Sequence, residues 1–83
     1  MPKPFGIHPL RKARKSRSMT LNELGDLVLV DGGNLSRIER FQQKVSPDLA
    51  AKIAAVFAGE LTEMHLLYPE RYVVKERPNA NAS

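Results

Sequence analysis

"VDGGNLSRIER", Val30 to Arg40, decides the fold, because it reads as a helix with an unfavourable start. Leu35 and Ile38 stand three residues apart, the spacing of a buried helix edge. Arg37 and Arg40 repeat that spacing and point away from it. Asp31 can cap such a helix, but Gly32 and Gly33 follow at once. A glycine inside a helix costs roughly 1 kcal/mol relative to alanine, and less in the first turn. Two readings stand side by side. Either the helix begins directly behind Asp31, or the glycines lengthen the turn and delay it to Asn34.

Outward from this stretch the sequence punctuates itself. Thr20, with Glu23 three residues on, forms a capping-box pattern. It predicts a helix from Leu21 to about Val28 that buries Leu24 and either Leu27 or Val28, with Gly25 as a small residue. A turn near Leu29 and Val30 then leads to Asp31. Upstream, Pro9 suits a helix start and predicts a helix from Leu10 to about Arg17, with Leu10 and Ala13 inward. "MPKPFGIHP" holds three prolines and a glycine and reads as an extended arm. Downstream of a helix end near Phe41, "QQKV" is a polar connection. Ser46, Pro47 and Asp48 then open a fourth helix, with Leu49, Ile53, Val56 and Phe57 as its buried stripe and Gly59 at its end. A fifth, Leu61 to Leu67, stops at Tyr68-Pro69. "RYVVK" reads as a short strand or an irregular tail, and "ERPNANAS" as a disordered end. The expected class is all-α: a compact bundle of five short helices (9–68), with an extended N-terminal arm (1–8) and a short C-terminal extension (69–83).

Composition excludes several kinds of chemistry. The chain has 83 residues, the size of one domain with one small core. It contains no cysteine, which removes disulfides and thiolate metal sites and suits a reducing cytoplasm. His8 and His65 lie far apart with no ligand spacing around either, so no metal is expected. No apolar run approaches the roughly 20 residues of a membrane helix, and the N-terminus lacks the apolar core of a secretory signal. There is no nucleophile beside a base, no cleft-forming carboxylate pair and no phosphate loop. An enzyme, a cofactor and a small-molecule ligand are therefore not expected.

Charge points to a partner. The net is +4, from thirteen Lys and Arg against nine Asp and Glu. Residues 1–17 hold six of the cations (Lys3, Arg11, Lys12, Arg14, Lys15 and Arg17) and no acid. The remainder carries seven cations against nine acids. A basic cluster at one end is the footprint expected for a polyanion partner.

"ELGDLVLVDGGNLSRIER", Glu23 to Arg40, resembles the helix-turn-helix of the Cro/C1-type repressor family, including its frequent "SRIER" ending. The likeness extends in register from "LRKAR" through the fifth helix, about residues 9 to 67, and implies a lambda-repressor-like DNA-binding domain. The motif's small residue falls on Gly25, and its buried apolar positions on Leu24, Val28, Val30, Leu35 and Ile38. In this family the second motif helix enters the DNA major groove with its first turn nearest the bases. The resemblance then makes Arg37 a base-contact residue, able to donate two bonds to guanine. Asn34 could meet adenine or a phosphate. Gly32 and Gly33 fall where relatives carry base-touching side chains, so bare backbone could allow a closer approach, with free amides facing phosphate. Ser36, Arg40, Gln43 and Lys44 are phosphate-contact candidates, joined by Lys12 and Arg17 from the basic run. Arg14 and Glu39 match a pair that in family members forms an internal salt bridge. Three positions depart from the pattern. Leu21 replaces a frequent glutamine, Leu29 the usual turn glycine, and Phe41 another common glycine; Leu29 implies an altered turn or left-handed strain.

One such module makes few contacts, whereas two on a palindrome would suffice. The expected partners are therefore a double-stranded DNA operator and a second copy of the chain. Leu66, Tyr68, Tyr72, Val73 and Val74 are candidates for the pairing surface. The resulting reading is a homodimeric, cytoplasmic repressor of bacterial, phage or plasmid type. An antitoxin that binds a partner protein and its own operator is the alternative, and a long disordered C-terminal segment would favour it. An RNA-binding protein ranks third, since exposed aromatics for stacking are few.

Overall fold

The computed structural model describes residues 6–73. Among them every regular element is helical: α1 (Pro9–Ser16), α2 (Leu21–Val28), α3 (Gly32–Glu39), α4 (Pro47–Val56), α5 (Glu63–Leu67) and a closing 3-10 turn (Pro69–Tyr72). Side-chain caps fix where the middle three begin. The Thr20 hydroxyl accepts the Glu23 amide at 3.0 Å, and the Glu23 carboxylate accepts the Thr20 amide at 2.8 Å. Asp31 Oδ2 accepts the Gly33 amide at 2.9 Å, and Ser46 Oγ accepts the Leu49 amide at 3.2 Å. α3 therefore begins directly behind Asp31, and the delayed start at Asn34 does not occur. It closes at Glu39, short of the expected end near Phe41, because Phe41 takes φ +62° and cannot extend a right-handed helix.

One core joins all five helices. Leu10 and Ala13 of α1, Leu24 and Val28 of α2, and Leu35 and Ile38 of α3 meet Ala50 and Ile53 of α4 and Leu66 of α5. Val45, from the polar-looking "QQKV", is also buried, as are Phe57 and Leu61 between α4 and α5. Burying a side chain such as Leu35 fully is worth about 1.5–3 kcal/mol. Of the two options on α2, Val28 faces inward and Leu27 is 59% exposed. Leu49 and Val56 pack only at the edge of the core, and Ala50 takes the inward place.

The C-terminal part differs from expectation at three points. α5 begins at Glu63, behind Thr62, and not at Leu61. Leu66 is fully buried and belongs to the core, not to an exposed pairing surface. Arg71 and Tyr72 complete the 3-10 turn instead of forming a strand. Val74 and the polar tail lie outside the described residues, as do residues 1–5 of the arm.

The α2–α3 turn explains the small residue at position 25. The chain folds back so that the Leu29 and Val30 amides both reach the Gly25 carbonyl, the second at 2.9 Å. A Cβ at Gly25 would collide with the Val30 carbonyl oxygen. Leu29, which carries the reversal, adopts φ +60° and ψ +46°, the left-handed conformation usually left to glycine.

Candidate nucleic-acid interface

α3 is pinned from behind before it offers anything outward. Leu35 and Ile38 are fully buried on its inner side. Glu39, also buried, receives a fork of two bonds from Arg14 of α1: Nε to Oε2 at 2.8 Å and Nη2 to Oε1 at 2.9 Å. Arg14 Nη1 donates to the Met19 carbonyl at 2.8 Å, so the guanidinium is held by α1, α3 and the intervening turn. The bond to Glu39 raises the Arg14 pKa further above its ordinary value, against the opposing effect of burial. A planar fork on a carboxylate fixes orientation as well as distance. The orientation of α3 is thus fixed against α1.

The outward side of α3 gathers three of the expected contact residues. Arg37 is exposed; its Nε lies 3.3 Å from Gln43 Oε1 and its Nη2 lies 3.4 Å from Asn34 Oδ1. Both distances are long for such bonds. They steer the guanidinium and leave it easily recruited. Arg40 Nε reaches back to the Ser36 carbonyl at 3.4 Å, and Lys44 is exposed in the following connection.

The first turn of α3 is less bare than two glycines suggest. A Cβ at Gly32 would lie 2.6 Å from the Asn22 side-chain oxygen, and one at Gly33 would lie 2.9 Å from Asp31 Oδ2 and 4.0 Å from Arg37 Nη1. Each glycine therefore makes room for a neighbouring side chain. Nor are all the amides free. Gly33 donates to the Asp31 side chain, and Asn34 and Leu35 to the Asp31 carbonyl at 3.0 and 3.1 Å. Only the Gly32 amide of this turn is without a bond to a described residue.

Two cations of the basic run stand elsewhere. Arg17 is committed within the protein: Nε pairs with Glu60 at 3.1 Å, Nη1 donates to the Val56 carbonyl at 2.9 Å, and the guanidinium lies over the Phe57 ring at 4.8 Å. It ties α1 to the end of α4 through contacts that stay open to solvent. Lys12 lines a groove of about 360 Å³ with Pro9, Ala13, Ser16, Glu60, Leu61, His65 and Tyr72, a set with no member from α2 or α3. Tyr68 and Tyr72, expected at a pairing surface, are exposed together with Met64, and Val73 is half-buried.

The described residues hold no cluster of three or more metal-ligating side chains and no helix long and apolar enough to cross a membrane. Comparison with known families gives one result: a helix-turn-helix family model matches residues 10–64, well over half the chain. No curated protein and no solved structure matches it.

Proposed function

The chain belongs to the Cro/C1-type helix-turn-helix family of DNA-binding regulators, and from that premise we propose that it is a sequence-specific repressor acting as a homodimer on a palindromic operator. The observation that carries this reading is the two-sidedness of α3. Leu35, Ile38 and Glu39 anchor it, while Arg37, Asn34 and the neighbouring Gln43 are grouped on the side turned away from the core. In the proposed complex α3 lies in the major groove and Arg37 reads guanine through O6 and N7. Asn34 meets the adjoining base. Ser36, Arg40, Gln43 and Lys44 follow the phosphates, fixing register without reading sequence. Asp31, an acid close to this face, is held to the Gly33 amide by its capping bond.

Lys12 contributes attraction at a distance, and Arg17 none by contact. Two copies on half-sites about one DNA turn apart multiply these few contacts. Occupying a promoter in this way excludes polymerase sterically, which is the simplest route to repression. The setting implied is the cytoplasm, on bacterial, phage or plasmid DNA.

Selection of bound sequences from random duplex DNA tests the reading directly. The enriched sites should be palindromic, and affinity should fall steeply with salt. Arg37→Ala should erase preference at one base pair in each half-site, a loss of discrimination of roughly 1–3 kcal/mol. An unchanged sequence ranking for that variant removes Arg37 from base reading.

A further inference from the structure

Asn22 is the side chain that fills the space over Gly32. It stands in the first turn of α2, is exposed, and makes no hydrogen bond to a described residue. Its carboxamide oxygen lies where a Gly32 side chain would begin, 2.6 Å from an ideal Cβ. Gly33 is overlaid first by the cap of its own helix, with Asp31 Oδ2 at 2.9 Å from its missing Cβ and Arg37 Nη1 further off at 4.0 Å. The start of α3 thus carries carboxamide, carboxylate and guanidinium groups that its own first two residues lack. They come from other positions: Asn22 of α2, the Asp31 cap and Arg37 in the next turn of α3.

We propose that Asn22 is a specificity-determining residue of the DNA interface, presenting its carboxamide to a base edge across the seat cleared by Gly32. This inference rests on the DNA-binding reading above. Its chemistry is particular. A carboxamide offers one donor group and one acceptor on the same plane, the pattern that matches adenine N7 and N6 in the major groove. With no hydrogen-bond partner among the described residues, neither group has to be released from one of them before it meets DNA. Gly32 is then required for its absent side chain and not for backbone freedom, since it lies in regular α-helix.

The experiment uses the full chain and a pool of random-sequence duplex DNA. Wild type, Asn22→Ala, Gly32→Ala and the double variant are each taken through selection, and affinities are then measured for wild-type sites carrying each base in turn. Asn22→Ala should lose roughly tenfold discrimination for adenine at one position per half-site and keep the rest of the profile. Gly32→Ala meets only the movable end of an exposed side chain, so it should fold normally. It should displace the carboxamide and lose discrimination at the same position. The double variant should lose no more than either single one, the signature of a shared interaction. Circular dichroism and thermal melting confirm that all four proteins are folded. An unchanged profile for Asn22→Ala overturns the proposal. So does a uniform loss across all sequences, which would make Asn22 a phosphate contact. If wild type itself enriches no sequence, the DNA reading falls first, and this inference with it.

Discussion

His8 shows how much one side chain can do without any motif to announce it. Its Nδ1 accepts the Leu10 amide at 3.0 Å, capping α1, and its ring packs at 4.9 Å against Phe41, just beyond α3. The residue is 2% exposed. Burial pushes its pKa from 6.5 down to about 4, with the Glu70 charge opposing. An imidazole that accepts at Nδ1 must be neutral there, so cap and pKa agree. The consequence for stability has a definite sign. Above pH 6.5 His8 is neutral whether folded or unfolded and costs nothing. Between pH 6.5 and 4 the unfolded chain binds a proton that the folded one refuses, so stability falls as pH falls, by roughly 3 kcal/mol across the window. His8→Asn keeps a good cap without a titrating ring. It should start less stable at pH 7, through loss of the Phe41 contact, and lose less on going to pH 4.5 in urea denaturation. Equal losses in the two proteins would take His8 out of the pH response.

At the scale of the element, the joint between α2 and α3 carries a strain that can be relieved. Leu29 is 83% exposed and holds φ +60°, so its side chain gains little from burial while its backbone bears the left-handed cost of about 1–2 kcal/mol. Leu29→Gly removes that cost and adds some unfolded-state entropy. The expected net is a gain of about 0.5–1 kcal/mol, read as a higher urea midpoint at unchanged slope; a lower midpoint contradicts the account. Phe41, also left-handed, should not respond alike, because its ring packs on His8. This joint was readable in advance because caps and turns are local. Thr20 to Glu23, Asp31 to Gly33 and Ser46 to Leu49 span at most three residues, so residue types alone suggest the bonds. What depends on distant partners was not readable. The phase that sends Val28 inward and Leu27 outward is set by the helices packed against α2. The filling of Gly32 comes from Asn22, ten positions earlier, which no local rule connects to it.

For the whole molecule, three cations of the basic run end in different places. The fold sends Arg14 inward to Glu39, turns Arg17 onto Glu60 and Phe57, and leaves Lys12 beside Tyr72 and His65. A count of charge along the chain could not foresee this, because both acids that take up arginines lie at least 25 positions away. These three then add little by direct contact to the few cations on α3 itself, which makes doubling the module more valuable. The exposed Met64, Tyr68 and Tyr72 form the apolar end best suited to a second copy. Tyr68 is 47% exposed, with the Arg71 guanidinium 5.2 Å above its ring, so Tyr68→Glu should leave the monomer folded while placing a charge within the proposed contact. Sedimentation should then report monomer, against the dimer proposed for wild type. Affinity for a full palindrome should drop by about a hundredfold toward that of a single half-site, since linking two binding events is worth 10²–10⁴. Affinity for an isolated half-site should barely change. A Tyr68→Glu protein that remains dimeric and grips the palindrome as before would locate the pairing surface elsewhere on the molecule.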